Sequence, residues 1–176
     1  MVDAKDVTRF SELDDFLKSD FSSHINLNIF LIYKLDNSKT IQLSQGLQKC
    51  SNLVEVSIQI RSNKISNSEA SAVAQSLSLC PKLENILLFM QANHIQNQGV
   101  TQIGQYLSNC SNLRILNLDL TRNYISCPQE LCISLQKCQS LTSLKLNLSH
   151  NAILNKRLLR RYLQKIIKLV DLKLIY

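Results

Sequence analysis

Residues 113–125 read LRILNLDLTRNYI, and the fold turns on whether that stretch occurs once or many times. It recurs. Residues 53–65 (LVEVSIQIRSNKI), 83–95 (LENILLFMQANHI) and 141–153 (LTSLKLNLSHNAI) lie over it position for position, and 169–176 (LVDLKLIY) repeats its beginning. The shared pattern is LxxLxLxLxxNxI. Its opening leucines, Leu53, Leu83, Leu113, Leu141 and Leu169, stand 30, 30, 28 and 28 residues apart. A near-constant period of this size marks a stacked-repeat architecture, in which no unit can bury its apolar face alone.

The physics of one unit follows from its spacing. Apolar residues alternate through Val56, Ile58, Ile60, through Ile86, Leu88, Met90, through Leu116, Leu118, Leu120 and through Leu144, Leu146, Leu148. That period of two predicts a strand with these side chains inward. Further on, Val73 and Leu77, Ile103 and Leu107, Leu131 and Leu135 recur four apart, the spacing of one helix face. A helix therefore backs each strand. Ser44, Ala74, Gly104 and Cys132 fall in register beside those positions, and their small size predicts a close helix-to-sheet approach. Pro128 suits a helix start, with the shorter period absorbed in the turn at Ser126 and Cys127, and Ser66 with Glu69 reads as a capping box.

The pattern resembles the leucine-rich repeat, and the period is similar to that of the ribonuclease-inhibitor-like subclass. The resemblance covers about 53–176 and implies an α/β solenoid, a short horseshoe arc with a parallel β-sheet on the concave side and helices on the convex side. It also implies a non-enzymatic scaffold that binds a protein partner. One departure is plain: the family pattern is LxxLxLxxN, whereas these units carry an extra x-L step, which predicts a longer or bulged strand. The resemblance makes Asn63, Asn93, Asn123 and Asn151 structural, with side chains turned inward to satisfy the strand-to-loop corner. The organisation is one domain over 1–176: a capping segment 1–24 with a helix over 6–21, a degenerate first repeat 25–52, four repeats 53–168, and a truncated terminal strand 169–176. That last strand is expected to be an uncovered edge.

A chain of 176 residues that is 45% apolar can build one sizeable core. Its beginning, MVDAKDVTRFSELDD, lacks the apolar region of a secretory signal, and no apolar run reaches the roughly 18 residues of a membrane span. The expectation is a soluble, cytoplasmic protein with its six cysteines reduced. The net charge of +7 is unevenly spread. Asp3, Asp6, Glu12, Asp14, Asp15 and Asp20 make the beginning acidic; Lys156, Arg157, Arg160, Arg161, Lys165, Lys168 and Lys173 make the end basic. Head-to-tail self-association through the two is a further expectation.

Cys50, Cys80, Cys110 and Cys138 each precede the opening leucine by three residues. Zinc would need four sulfurs within roughly 4 Å of one another. A ladder stepping about 4.8 Å per strand spreads them over roughly 14 Å, so they read as buried corner residues, as does Cys132, and only Cys127 as exposed. His24, His94 and His150 do not cluster, and no phosphate loop, HExxH or paired carboxylate motif occurs, so neither an enzyme nor a cofactor is expected.

Function falls to the side chains between the core positions. There Leu87, Phe89 and Ile115 form an apolar patch rimmed by Asn117, Asp119, Gln91, Arg61 and Lys145, the composition of a protein interface. The alternative is a basic amphipathic helix in NKRLLRRYLQKIIKL. Leu158, Leu159, Tyr162, Leu163, Ile166 and Ile167 share one stripe, and Arg157, Arg160, Arg161, Lys165 and Lys168 present an anion-binding face to nucleic acid or an anionic membrane.

Overall fold

The computed structural model describes residues 7–176; Asp3, Lys5 and Asp6 of the acidic beginning lie outside the described residues. The elements alternate: β1 (Val7–Phe10), α1 (Leu13–Leu17), β2 (Asn26–Phe30), α2 (Asn37–Leu47), β3 (Glu55–Gln59), α3 (Asn67–Ser78), β4 (Asn85–Phe89), α4 (Asn97–Leu107), β5 (Ile115–Asp119), α5 (Gln129–Leu135), β6 (Ser143–Asn147), α6 (Lys156–Leu163) and β7 (Asp171–Ile175). The strands form a single parallel sheet in chain order. Each helix from α2 to α6 packs on the next. Strands repeat at about 4.8 Å but packed helices need roughly 8–10 Å, so the stack bends with its sheet inside. This is an α/β repeat solenoid, and its plan fits a leucine-rich-repeat arc.

The period-two residues of β3 to β6 are all buried, together with the helix positions Val73, Leu77, Ile103, Leu107, Leu131 and Leu135. Each fully buried aliphatic side chain contributes about 1.5–3 kcal/mol, so the continuous core supplies most of the stability. The extra x-L step lengthens the strand without a bulge. Pairing is one-to-one across β3, β4, β5 and β6. The ladder then runs on, with Ile60 N–H donating to Phe89 O at 3.0 Å and Ser62 N–H to Gln91 O at 2.9 Å. The step adds one more inward residue per unit, Ile60, Met90, Leu120 or Leu148, each buried.

Four local expectations are corrected. The helix over 6–21 is replaced by β1 and the five-residue α1. Val7 and Thr8 are β-branched, and β2 offers them a full parallel partner, Val7 opposite Asn26 and Phe10 opposite Ile29. The close approach is helix to helix: a Cβ on Gly104 would lie 2.8 Å from Leu131 Cα on α5. The shorter period is taken from a helix, α5 having 7 residues where α4 has 11, with Pro128 just before its start. Finally, α6 stops at Leu163, after which the chain turns towards β7; Ile166 is buried but Ile167 is 90% exposed and leaves the apolar stripe.

At the far end, β7 pairs with β6 alone among the described residues, and its inward Leu172 and Leu174 are only half-buried.

Candidate functional site

The outward side chains stack in register across the sheet. One column runs Asn26, Glu55, Asn85, Ile115, Ser143, Asp171; the next Arg9, Asn28, Ser57, Leu87, Asn117, Lys145, Lys173; the third Phe30, Gln59, Phe89, Asp119, Asn147, Ile175. Arg61, Gln91, Thr121 and Ser149 extend a fourth beyond the strand ends. The register thus brings Leu87, Phe89, Ile115, Asn117, Asp119, Gln91, Arg61 and Lys145 onto one face. Leu87 and Phe89 are half-buried and Ile115 is 40% exposed. Phe30 and Ile32 also stand at outward positions, and the sequence reading missed them. The signal was present in INLNIFLIYKL, which carries the same alternation.

Lateral hydrogen bonds hold the polar part of this face. Asp119 Oδ1 accepts from the Thr121 hydroxyl at 2.6 Å and N–H at 3.0 Å, and Asp119 Oδ2 from Asn147 Nδ2 at 3.1 Å. Asn85 Nδ2 donates to Glu55 Oε2 at 3.2 Å. Three buried amide oxygens on the same face, Asn26 Oδ1, Gln91 Oε1 and Asn117 Oδ1, have no hydrogen-bond partner. An unpartnered buried polar atom is costly to the fold.

The repeated asparagines lie beneath the rim where the strands end, not on the face. Asn93 Oδ1 accepts from Asn63 N–H at 2.9 Å and Ile65 N–H at 3.1 Å, while its Nδ2 donates to Ile60 O and Met90 O, both at 3.0 Å. Asn123 and Asn151 repeat the arrangement. In the first unit Lys34 takes the asparagine's place, with Nζ donating to Ser11 O at 2.7 Å and to the Glu12 carboxylate.

The recurrent cysteines are buried at the opposite rim. Cys80, Cys110 and Cys138 point their Sγ at Leu47 O, Leu77 O and Leu107 O, 3.5, 3.9 and 3.7 Å away, each at the end of the preceding helix. Burial pushes the thiols of Cys50, Cys110 and Cys132 up to about 12 and those of Cys80 and Cys138 up to about 11. Such thiols are poor nucleophiles. Cys127 is exposed. Among the described residues no group of His, Cys, Asp and Glu is placed to hold a metal ion. His24 is buried against Phe10 and Phe16, its Nε2 2.8 Å from Ser19 Oγ, and burial holds its pKa below the usual imidazole value against the opposing pull of Asp20. The His94 ring lies 5.7 Å from that of Tyr124, tilted by 55°, and His150 lies on the rim.

The cations of the chain's basic end do not converge. Arg157, Arg160 and Arg161 are exposed on α6, with Arg160 beside Leu172, Leu174 and Tyr176. Lys165 Nζ sits 5.8 Å from the Tyr162 ring centre, and Lys168 lines a different recess with Glu84, Asn112 and Arg114. Glu12, Asp14, Asp15 and Asp20 lie at the β1 end of the sheet and this basic group at the β7 end. No helix among the described residues is long and apolar enough to cross a membrane.

No family model matches the chain, and no curated protein matches it. Among solved structures it is similar to the crystal structure of an internalin (inlF) from Listeria monocytogenes strain 4b F2365, at 16% identity and a TM-score of 0.42. The alignment covers 93% of this chain and 57% of the internalin chain. An overlap of that quality adds nothing to what the sheet register already establishes.

Proposed function

We propose that the protein is a binding module of the leucine-rich-repeat type, ribonuclease-inhibitor-like in its helix-backed units, that presents its concave sheet face to a protein partner. The observation that carries this reading is the cluster of Leu87, Phe89 and Ile115, each flanked on both adjacent strands by polar residues: Ser57 and Asn117, Gln59 and Asp119, Asn85 and Ser143. A large apolar group ringed by hydrogen-bonding side chains is the make-up of an interface centre. Binding of this kind needs no catalytic group. The buried S–H donors of the cysteine row require reduced thiols, which supports a reducing, intracellular setting.

The test is capture from native cell extract by wild type and by the double variant Leu87→Ser, Phe89→Ser. Loss of the captured protein with a circular-dichroism melt displaced by no more than about 5 °C supports the face, since a 1 kcal/mol change moves a chain of this size by roughly 2–4 °C. A collapsed melt would show instead that Leu87 and Phe89 belong to the core. Charge reversal of Arg157, Arg160 and Arg161 serves as the control for binding through α6.

A further inference from the structure

Beyond the apolar patch, the rim where the strands end carries a groove of about 460 Å³, lined by Tyr33, Arg61, Gln91, Thr121, Arg122 and His150. The chain leaves each strand here through left-handed backbone, with φ of 58° at Tyr33, 59° at Ser62, 53° at Ala92, 55° at Arg122 and 58° at His150. None of the five is glycine, although that conformation costs a residue with a Cβ roughly 1–2 kcal/mol. The buried asparagine row immediately after these turns holds the chain in place. Each left-handed residue therefore presents a side chain from a fixed point on the rim.

The backbone of the rim is already paired. Ser62, Ala92 and Arg122 donate their N–H groups to Gln91 O, Thr121 O and Ser149 O at 2.9, 2.8 and 3.0 Å. The side chains are not. Arg61 and Arg122 are exposed, and the ion pairs of the described residues involve neither. The acid in the adjoining column, Asp119, is occupied by its three hydrogen bonds from Thr121 and Asn147. Between the two guanidiniums, Gln91 Oε1 is buried without a partner. The groove thus holds two uncompensated cations and one acceptor that lacks a donor.

We propose that this groove binds an acidic, extended segment of a partner protein. The proposal rests on the concave-face reading and gives the partner a chemistry beside the apolar patch. Arg61 and Arg122 follow strands two apart, so their backbones are separated by roughly 10 Å. In polyproline II conformation residues i and i+3 share a side at about 9.3 Å. Two acidic residues at that spacing meet both guanidiniums, each of which can grip a carboxylate through two parallel N–H bonds. The apolar patch of Leu87, Phe89 and Ile115 beside the groove suits a protein segment better than a nucleic-acid strand, the alternative that oligo-dT tests.

The probe is a fluorescent Glu-Pro-Ala repeat peptide, titrated by anisotropy into the full chain alongside a Gln-Pro-Ala repeat and single-stranded oligo-dT. The acidic peptide is expected to bind and the neutral one not to. Arg61→Ala with Arg122→Ala should weaken it by roughly tenfold or more, because charge-assisted pairs are lost. Both arginines being exposed, the melt of that variant should stay within about 3 °C of wild type. Leu87→Ser with Phe89→Ser should weaken the peptide less than the arginine variant does, because it leaves both guanidiniums in place, although Phe89 stands two residues before Gln91. No binding of the acidic peptide, unchanged affinity in the arginine variant, or tighter binding of oligo-dT overturns the proposal. If that happens while the Leu87 and Phe89 variant still loses its partner in extract, the groove fails and the concave face stands.

Discussion

The two rims of the sheet are both built as ladders, and they differ in kind. Where the strands end, the buried amides of Asn93 and Asn123 and the half-buried one of Asn151 both accept from and donate to a neighbouring unit at 2.9–3.2 Å. Where the strands begin, cysteine Sγ atoms lie 3.5–3.9 Å from the carbonyls of the preceding helix, the range of weak S–H contacts. Both rows recur with the same regularity in the sequence. Recurrence therefore marks a shared place in the unit, not the strength of what is done there. The exceptions show the difference: Ile166 takes the cysteine's place and is simply buried, whereas Lys34, in the asparagine's place, is exposed and bonds outward to Ser11 O and the Glu12 carboxylate instead of filling a buried corner.

The widest gap between the rims is expected from Asn93→Ala. It strands the N–H groups of Asn63 and Ile65 and deprives the carbonyls of Ile60 and Met90 of a donor, all inside the protein. At about 1–3 kcal/mol per unsatisfied group, the loss should be at least about 3 kcal/mol in a urea titration. At the other rim, Cys110→Ala removes one sulfur and a weak contact, and about 1 kcal/mol is expected. A cost for Cys110→Ala equal to that of Asn93→Ala would end the contrast. Thiol labelling sharpens it: in the folded protein Cys127 should react at once, while Cys50, Cys80, Cys110 and Cys138 wait for unfolding.

The repeat made the strands and their outward columns legible, because a period of two leaves only one choice of face once the apolar set is known. What escaped had weaker or competing signals. Residues 7–10 carry apolar groups that also suit a helix, and only the open side of β2 decides for a strand. A second asparagine row, at the first residues of α3 and α4, carried no signal of its own. Asn67 Oδ1 accepts from Gln96 N–H at 2.8 Å and Gly99 N–H at 3.0 Å, and Asn97 Oδ1 from Ser126 and Cys127 N–H at 2.9 and 2.8 Å. Gly99 is required there, since a Cβ would stand 2.5 Å from Asn67 Oδ1. Arg61 and Gln91 stood out as outward rim residues, but the groove they share with Arg122 did not. Left-handed turns at Ser62, Ala92 and Arg122 are imposed by the stacked asparagines of neighbouring units, not by the residues that adopt them.

The smallest expected effect concerns the helix start that follows the asparagine rim. Glu69 is buried at the beginning of α3, where its carboxylate accepts from the Ser66 N–H at 3.0 Å and from the hydroxyls of Ser66 and Ser68. Burial alone would raise its pKa, but these hydrogen bonds prevail and hold it below the usual glutamate value. A carboxylate with a depressed folded pKa stabilises the fold fully above its unfolded value of about 4.3 and loses that contribution as pH falls through the folded one. Glu69→Gln keeps the shape and an acceptor but cannot titrate. The wild-type advantage over this variant should be constant from neutral pH down to about pH 5 and then shrink on further acidification. A gap that widened with acid would mean that burial dominates, and that the helix start on this rim is held by packing rather than by charge.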